Sequence, residues 1–206
     1  MLNKFPNSVV LYNISGACNA GLMQFDAAIT SFKKALKLEP NNAEAYNNIG
    51  NALNAQGDQK AAIVSYKKAI DIKPDFPEAF NNIGNALTAL GVLDAAIDNY
   101  KHALMIKPNY AEAYNNMAIT LNYKSQPDAA INSCMRALKF KPDYAEAYFN
   151  KGIALQNKGD SEAAMASYKQ ALQIAPGYAE VHNNLGKVLK DRGNLASAIN
   201  SFEQAV

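Results

Sequence analysis

Histidine and cysteine, two residue types often used in acid–base and nucleophilic chemistry, are rare in this chain of 206 amino acids. The two histidines, His102 and His182, lie far apart, and the two cysteines, Cys18 and Cys134, form no CxxC pair and no Cys/His cluster. The sequence contains no glycine-rich phosphate loop and no HExxH or GxSxG motif. We therefore expect no enzymatic activity, no metal site and no cofactor, and we interpret both cysteines as small buried side chains.

One column of glutamates could be mistaken for a metal site or a row of acids and bases. The column recurs every 34 residues and consists of Glu44, Glu78, Glu112, Glu146 and Glu180. The helices of adjacent repeats lie about 10 Å apart, which places neighbouring glutamates of the column too far apart to share one ion. Negative charge is favoured in the first turn of a helix. Three pairs also have capping-box spacing, namely Asp75 and Glu78, Asn109 and Glu112, and Asp143 and Glu146. We interpret the column as helix capping.

The composition is that of a folded protein without a strong charge. Hydrophobic residues make up 49% of the chain, charged residues 18%, and the net charge is +2. This balance gives no reason to expect nucleic acid or an anionic membrane as a partner. Residues 1–6 lack the apolar core of a signal peptide, and no stretch is long and apolar enough to cross a bilayer. With two unpaired thiols, these features predict a cytoplasmic protein.

The sequence is organised by an internal period of 34 residues. Six prolines keep this spacing without a slip, at Pro6, Pro40, Pro74, Pro108, Pro142 and Pro176. Alanine columns begin at Ala28 and Ala35 with the same period. A glycine column runs from Gly16 to Gly186 with Ala118 as its exception, and an aromatic column runs from Phe32 to Phe202 with Cys134 as its exception. Periodicity of this kind is typical of repeat proteins.

Each period contains two stretches with helical spacing of apolar residues. In the second repeat these include Tyr46, Ile49 and Leu53, then Ala62 and Tyr66. A glycine between the two stretches can take the left-handed conformation that ends a helix, and the proline stops the second helix. The pattern predicts a helical hairpin in every period.

These columns resemble the tetratricopeptide repeat (TPR). With proline at position 32, the repeats are 9–42, 43–76, 77–110, 111–144 and 145–178, followed by the incomplete repeat 179–206. Residues 1–8 resemble the tail of a preceding or degenerate repeat. The resemblance implies an all-α, right-handed α-solenoid of stacked helix-turn-helix hairpins. It also implies that the first helix of each repeat lines a concave, peptide-binding groove.

Asparagine is the residue that this groove would present most often. Its amide both donates and accepts hydrogen bonds, so a row of amides can bond the main chain of an extended peptide. The candidate groove residues, at positions five, six and nine of the repeats, are Asn47, Asn48, Asn51, Asn81, Asn82, Asn85, Asn115, Asn116, Asn150, Asn183 and Asn184. The row resembles the asparagine ladder of O-linked N-acetylglucosamine transferases, whose repeats are similar to residues 43–53. Asparagine at position six can also tie neighbouring repeats together, so both interpretations stay open.

Other groove positions narrow the choice of partner. Chaperone-binding members of the family hold a C-terminal carboxylate with Lys and Arg at positions two, five and six, whereas this chain has Glu and Asn there. The glutamates would repel such a carboxylate. Phe149 interrupts the asparagines of position five, and Ile119 and Ile153 predict an apolar patch in the groove.

Three functions fit the sequence. The first is a protein-interaction scaffold that binds an extended peptide, with neither nucleic acid nor membrane as a partner. The second is the non-catalytic, substrate-recruiting arm of a larger glycosyltransferase or sulfotransferase, which the coding sequence after Val206 would reveal. The third is a structural module that self-associates end to end through uncapped terminal repeats, where we expect Ile199, Phe202 and Val206 to be partly uncovered.

Overall fold

The computed structural model describes residues 7–205, and in this range the fold consists of helices without any strand. The helices are α1 (Val9–Gly21), α2 (Phe25–Leu38), α3 (Ala43–Ala55), α4 (Gln59–Ile72), α5 (Pro77–Ala89), α6 (Leu93–Ile106), α7 (Ala111–Tyr123), α8 (Pro127–Phe140), α9 (Ala145–Asn157), α10 (Ser161–Ile174), α11 (Ala179–Asp191) and α12 (Leu195–Glu203). The predicted all-α hairpin repeat is confirmed. Most of the predicted N-terminal tail, residues 1–6, and Val206 lie outside the described residues.

The chain divides into two compact units, Met1–Pro108 and Asn109–Val206. Within each unit, every odd-numbered helix pairs with the next even-numbered helix to form a hairpin, and each even-numbered helix also packs on the odd-numbered helix that follows it. We call the odd-numbered helices A helices and the even-numbered ones B helices. The surface formed by A helices is called the A-helix face, and each unit has its own.

A glycine in the A helix faces an aromatic ring of the B helix in five of the six hairpins. A Cβ atom built on Gly84 would lie only 2.5 Å from Cε1 of Tyr100, so glycine alone lets the ring come this close. The other pairs are Gly16 with Phe32, Gly50 with Tyr66, Gly152 with Tyr168, and Gly186 with Phe202. Because the rings pack against the helix backbone, these pairs form the centre of each hairpin.

Repeat four replaces both members of this pair. Ala118 stands in the glycine column and Cys134 in the aromatic column, and both residues are 0% exposed. The added methyl group of the alanine takes up part of the space that the missing ring leaves. Burial raises the pKa of the Cys134 thiol to about 12, which keeps it protonated and unreactive at neutral pH.

Every hairpin turn contains one residue with a left-handed backbone. Four of these residues are glycines, as the sequence predicted, with φ between 75° and 87°. The two exceptions, Met23 and Ser125, adopt the same conformation with φ of 59° and 56°. The turn geometry is therefore set by hairpin packing, which overrides the preference of these two side chains.

Replacing Ser125 with glycine should raise the free energy of unfolding by about 1 kcal/mol, because glycine removes the strain of a left-handed residue. The reverse substitution in the same unit, Gly159→Ser, should lower it by a similar amount, because Gly159 has a φ of 87°. Urea unfolding followed by circular dichroism measures both changes. A Ser125→Gly variant that is less stable than the parent would show that this turn is unstrained.

The capping boxes predicted at three A helices are wrong. Helices α5, α7 and α9 have Phe76, Tyr110 and Tyr144 at the N-cap, and none of these side chains caps the helix. Phe76 and Tyr144 are only 6% and 9% exposed, so burying an aromatic ring outweighs a polar cap at this position. The column glutamates do lie in the first turn of their helices, where the dipole favours them.

The expectation that both cysteines are buried is half wrong, because Cys18 is exposed. Residues at the equivalent position of the next two repeats, Ala52 and Ala86, are 2% and 0% exposed. Those two alanines lie on A helices that pack against the preceding B helix. Among the described residues, no helix precedes α1 to cover the corresponding side of it.

Candidate peptide-binding surface

In the first unit, the candidate asparagines form a hydrogen-bonded network between repeats two and three. The Asn82 Nδ2 group donates to Asn47 Oδ1 at 3.1 Å and to Asn51 Oδ1 at 3.0 Å. The Tyr66 hydroxyl also donates to Asn51 Oδ1 at 2.9 Å. Asn47 and Asn81 are 8% and 5% exposed. The position-five amide of Asn47 is therefore a buried acceptor that orients the amide at position six.

The remaining candidates of the first unit lie closer to the surface. Asn48 is half-buried and Asn51 is exposed. Asn85 is also half-buried, and its Oδ1 atom accepts a hydrogen bond of 2.9 Å from the Tyr100 hydroxyl. This bond links the A helix to the buried ring of its own hairpin.

The same network recurs in the second unit between repeats four and five. The Asn150 Nδ2 group donates to Asn115 Oδ1 at 2.9 Å, and the two residues are 7% and 4% exposed. Asn122 adds a bond from its Nδ2 group to the Asn150 carbonyl oxygen at 3.2 Å. Asn116 and Asn184 are half-buried, and Asn183 is exposed. The Asn184 Oδ1 atom accepts from Lys187 Nζ at 3.4 Å.

Asn82 and Asn150 therefore tie neighbouring repeats together, which is one of the two interpretations that the sequence left open. This finding does not test the other interpretation. An amide oxygen has two lone pairs, so an asparagine that donates to a neighbouring repeat can still accept from a ligand. Peptide binding by the asparagines stays a prediction.

A cavity of about 420 Å³ lies on the A-helix face of the second unit. It is lined by residues of α7 and α9 and by the residue that precedes α11, namely Asn115, Ile119, Asn122, Tyr123, Glu146, Phe149, Asn150, Ile153, Asn157 and Tyr178. Ile119 and Ile153, the two residues of the expected apolar patch, are among them. Of the candidate asparagines, the cavity brings together Asn115 and Asn150.

Phe149 replaces the asparagine of position five and gives the cavity an aromatic wall. Its ring centroid lies 5.3 Å from that of Tyr178 and 6.0 Å from that of Tyr168. Tyr123, on the neighbouring A helix, is 70% exposed. A surface that combines aromatic and aliphatic side chains with a few polar groups is typical of a ligand pocket.

Asn122 has a side-chain oxygen that the described residues leave without a hydrogen bond. Its Oδ1 atom is buried and has no hydrogen-bond partner among them. Asn54, at the equivalent position of repeat two, has the same buried Oδ1 atom without a partner. The unpaired oxygen therefore recurs with the repeat and does not by itself mark the cavity.

Glu146 is the charged residue that lines the cavity. Its repeat lacks the lysine that pairs with the equivalent glutamate in repeats two and three. At position 31 of repeats two and three, Lys73 and Lys107 reach the glutamates of their own repeats, with distances of 4.0 Å from Lys73 Nζ to Glu44 and 3.3 Å from Lys107 Nζ to Glu78. In repeat five, position 31 is Ala175. Among the described residues, Glu146 forms no ion pair.

The lysines at position 31 also lie over the aromatic ring that precedes the next A helix. Lys73 Nζ lies 4.7 Å from the centroid of the Phe76 ring, and Lys141 Nζ lies 4.2 Å from that of Tyr144. Tyr178 is the equivalent ring beside Ala175 and receives no such lysine. The pKa of Tyr178 is raised, first by burial and then by the charges of Glu146 and Glu180. This end of the cavity is electronegative.

Sequence reasoning missed several residues of the cavity. Glu146 was interpreted only as a helix cap, and Tyr123, Asn157 and Tyr178 were not considered. Two breaks in the repeat columns, Phe149 at position five and Ala175 at position 31, could have indicated that repeat five differs. The joint effect of these breaks becomes visible only when the helices are placed together.

The two histidines make separate, local contacts within their own repeats or with the adjacent turn. His102 is exposed and stacks on Phe80 with ring centroids 5.5 Å apart, and His182 Nε2 lies 2.7 Å from the Pro176 carbonyl oxygen. Within residues 7–205, no three His, Cys, Asp or Glu side chains come together as a metal site would require. In the same range, no helix has the length and apolar character needed to cross a membrane.

Comparison with known proteins agrees with the repeat architecture. A family model described as TPR repeat matches residues 24–57, 50–91, 84–124 and 157–191, and two models described as tetratricopeptide repeat match residues 111–144, 133–166 and 179–206. No curated protein is similar enough to match.

Solved structures of several repeat proteins are similar to this chain. The crystal structure of MamA protein shares 29% identity over 84% of this chain and 94% of that chain, with a TM-score of 0.69. TTC0263, a thermophilic TPR protein of Thermus thermophilus, shares 23% identity over 88% and 99% with a TM-score of 0.73. YrrB, described as a TPR protein with an unusual peptide-binding site, shares 21% identity over 87% and 93% with a TM-score of 0.65. The last two similarities concern the fold.

Proposed function

The chain belongs to the tetratricopeptide repeat family, and on this basis we propose that it is a non-catalytic scaffold that binds an extended peptide segment on its A-helix face. The observation that carries the proposal is the cavity of the second unit. It is lined by A helices alone, apart from Tyr178 just before α11, and it combines apolar side chains with the amides of Asn115, Asn122 and Asn150. The side chains of an extended segment can pack against the apolar residues, and its main-chain donors and acceptors can form hydrogen bonds with the amides.

The asparagines have two roles in this proposal. The buried amides Asn47, Asn81 and Asn115 support the amides of position six. The less buried amides form the contacts with the peptide main chain, and they are Asn48, Asn51, Asn82, Asn85, Asn116, Asn183 and Asn184, together with the side-chain oxygen of Asn150. Each neutral hydrogen bond contributes about 0.5–1.5 kcal/mol, so several must act together and the affinity should be on the order of micromolar.

Removing the position-six amides should weaken binding. We expect the combined variant Asn82→Ala, Asn116→Ala and Asn150→Ala to bind a display-selected peptide at least about tenfold more weakly than the parent, because up to three hydrogen bonds are lost. Isothermal titration calorimetry measures the affinity, and circular dichroism checks that the variant is folded at the temperature used.

A matched control comes from the B helices. Asn132 and Asn200 lie on α8 and α12, outside the A-helix face, and replacing both with alanine should leave the affinity unchanged. A folded triple variant that binds as tightly as the parent would mean that the asparagines only tie repeats together.

Two other functions rest on narrower observations. A substrate-recruiting arm of a larger enzyme would use the same A-helix face, and this alternative rests on the sequence resemblance of residues 43–53 alone, since no curated protein matches the chain. Leu195 and Ile199, one turn apart on α12, are 60% and 58% exposed, which supports self-association. Light scattering at high concentration tests the latter, and a strictly monomeric chain would exclude it.

A further inference from the structure

We propose that the cavity of the second unit is specific for a partner segment that carries a basic side chain, Lys or Arg, next to a bulky apolar side chain. The inference rests on the proposed function and names the class of segment that the cavity binds. The basic side chain would lie between Glu146 and the ring of Tyr178, and the apolar one would contact Ile119, Phe149 and Ile153.

Comparison of the repeats with one another supports the basic side chain. Lysines at position 31 approach the glutamate of their repeat or cover the aromatic ring that follows, as Lys73 does with both Glu44 and Phe76. Repeat five keeps the glutamate and the ring but has Ala175 at this position. A cation over an aromatic face and beside a carboxylate is stabilised by both groups. A partner's Lys or Arg would therefore occupy the place that the chain's own lysine occupies elsewhere.

The apolar side chain is supported by the wall of the cavity. Where repeats two, three and four have a buried asparagine at position five, repeat five has Phe149, which packs against Tyr178. The isoleucines at positions 119 and 153 are half-buried and leave apolar surface in the cavity. Burying a large apolar side chain against this surface removes it from water and adds affinity that a Gly or Ser residue could not provide.

The charge of the cavity favours a basic segment over an acidic or a purely apolar ligand. The cavity is lined by one acidic side chain and no basic one, which disfavours an acidic segment. A neutral apolar ligand would leave Glu146 without a partner.

The experiment uses a random decapeptide library displayed on phage and selected against the full chain. We expect the enriched peptides to contain Lys or Arg within two residues of Phe, Tyr, Trp, Leu, Ile or Met. In calorimetry, the variant Ala175→Lys should bind these peptides about tenfold more weakly than the parent, because its own lysine competes for the cation position. Ala175→Gln has a long polar side chain without the charge and should bind nearly as the parent does.

Charge reversal gives a second, independent measurement. Selection against Glu146→Lys should lose the basic residue and enrich Asp or Glu in its place. Selection against Glu162→Lys, the same change at an exposed residue of α10 in the same unit, should return the original motif. Thermal unfolding followed by circular dichroism confirms that each variant is folded.

The outcomes separate this inference from the proposed function. Selected peptides that lose affinity in the asparagine variants, but show no basic and apolar motif and do not respond to Ala175→Lys, would overturn the inference and leave peptide binding intact. A selection that yields no binding peptide, or only peptides that bind equally to the asparagine variants, would overturn both.

Discussion

Replacing Cys134 with tyrosine should lower the free energy of unfolding by about 3 kcal/mol, because the new ring would meet the methyl group of Ala118. Cys134 and Ala118 are both 0% exposed, so the new ring would have to fit inside the hairpin. In repeat three, a Cβ on Gly84 would lie 2.5 Å from the Tyr100 ring, which shows how little room the pairing leaves. Urea unfolding followed by circular dichroism measures the loss.

The double variant with Ala118→Gly provides the control. Ala118→Gly alone should cost about 1 kcal/mol in helix propensity. Combined with Cys134→Tyr, it recreates the glycine and aromatic pair of the other repeats, so the double variant should be more stable than Cys134→Tyr alone by about 2 kcal/mol. Additive effects of the two substitutions would show that the residues are not in contact.

The second large effect is expected for Asn150→Asp. Asn150 is 7% exposed and donates to Asn115 Oδ1 at 2.9 Å, so a carboxylate would place a buried negative charge against an acceptor. Glu112 and Glu146 already make this region electronegative, since they contribute, after burial, to raising the pKa of Tyr144 to about 12. We expect a loss of about 3 kcal/mol at pH 7.

The cost of Asn150→Asp should depend on pH. The folded structure favours the protonated carboxyl group, which can donate to Asn115 Oδ1, so its pKa should be raised above the ordinary value of about 3.9. The loss should therefore be small near a pH of about 3, grow as the pH rises through about 4 and beyond, and be complete at about pH 7. Asn183→Asp, at an exposed position of the same unit, should change stability little at either pH. An equal loss for both variants would contradict the buried amide pair.

The hairpin repeat was readable from the sequence because its causes are local and recur from repeat to repeat. Glycine and ring columns, turn glycines and the helix-ending prolines each reflect one packing constraint that every repeat must satisfy. The N-caps of the A helices were harder to predict. At Phe76 and Tyr144, burying the aromatic ring outweighs the preference for a polar capping residue. Cys18 was misjudged because its burial depends on a preceding helix rather than on its own repeat.

The candidate site was only partly readable. The sequence predicted Ile119 and Ile153 as an apolar patch and the asparagines as polar groups of the groove. It could not show that Asn47, Asn81 and Asn115 are buried, because helical spacing alone does not say how closely adjacent A helices approach. Among residues 7–205, Glu146 lacks an ion pair because position 31 of its repeat is Ala175 and not lysine. The effect of this one substitution can be recognised only from the contacts that Lys73 and Lys107 make in the other repeats.

Nuclear magnetic resonance of the full chain, with and without a display-selected peptide, tests peptide binding on the A-helix face most directly. Chemical-shift changes in the backbone amides, and in the side-chain amides of Asn116, Asn122 and Asn150, show where the peptide lies. We predict that, in the second unit, the changes concentrate on α7 and α9 and include these side chains, while α8 and α10 change little. Changes confined to α8 and α10, with the asparagine side chains unaffected, would contradict the account.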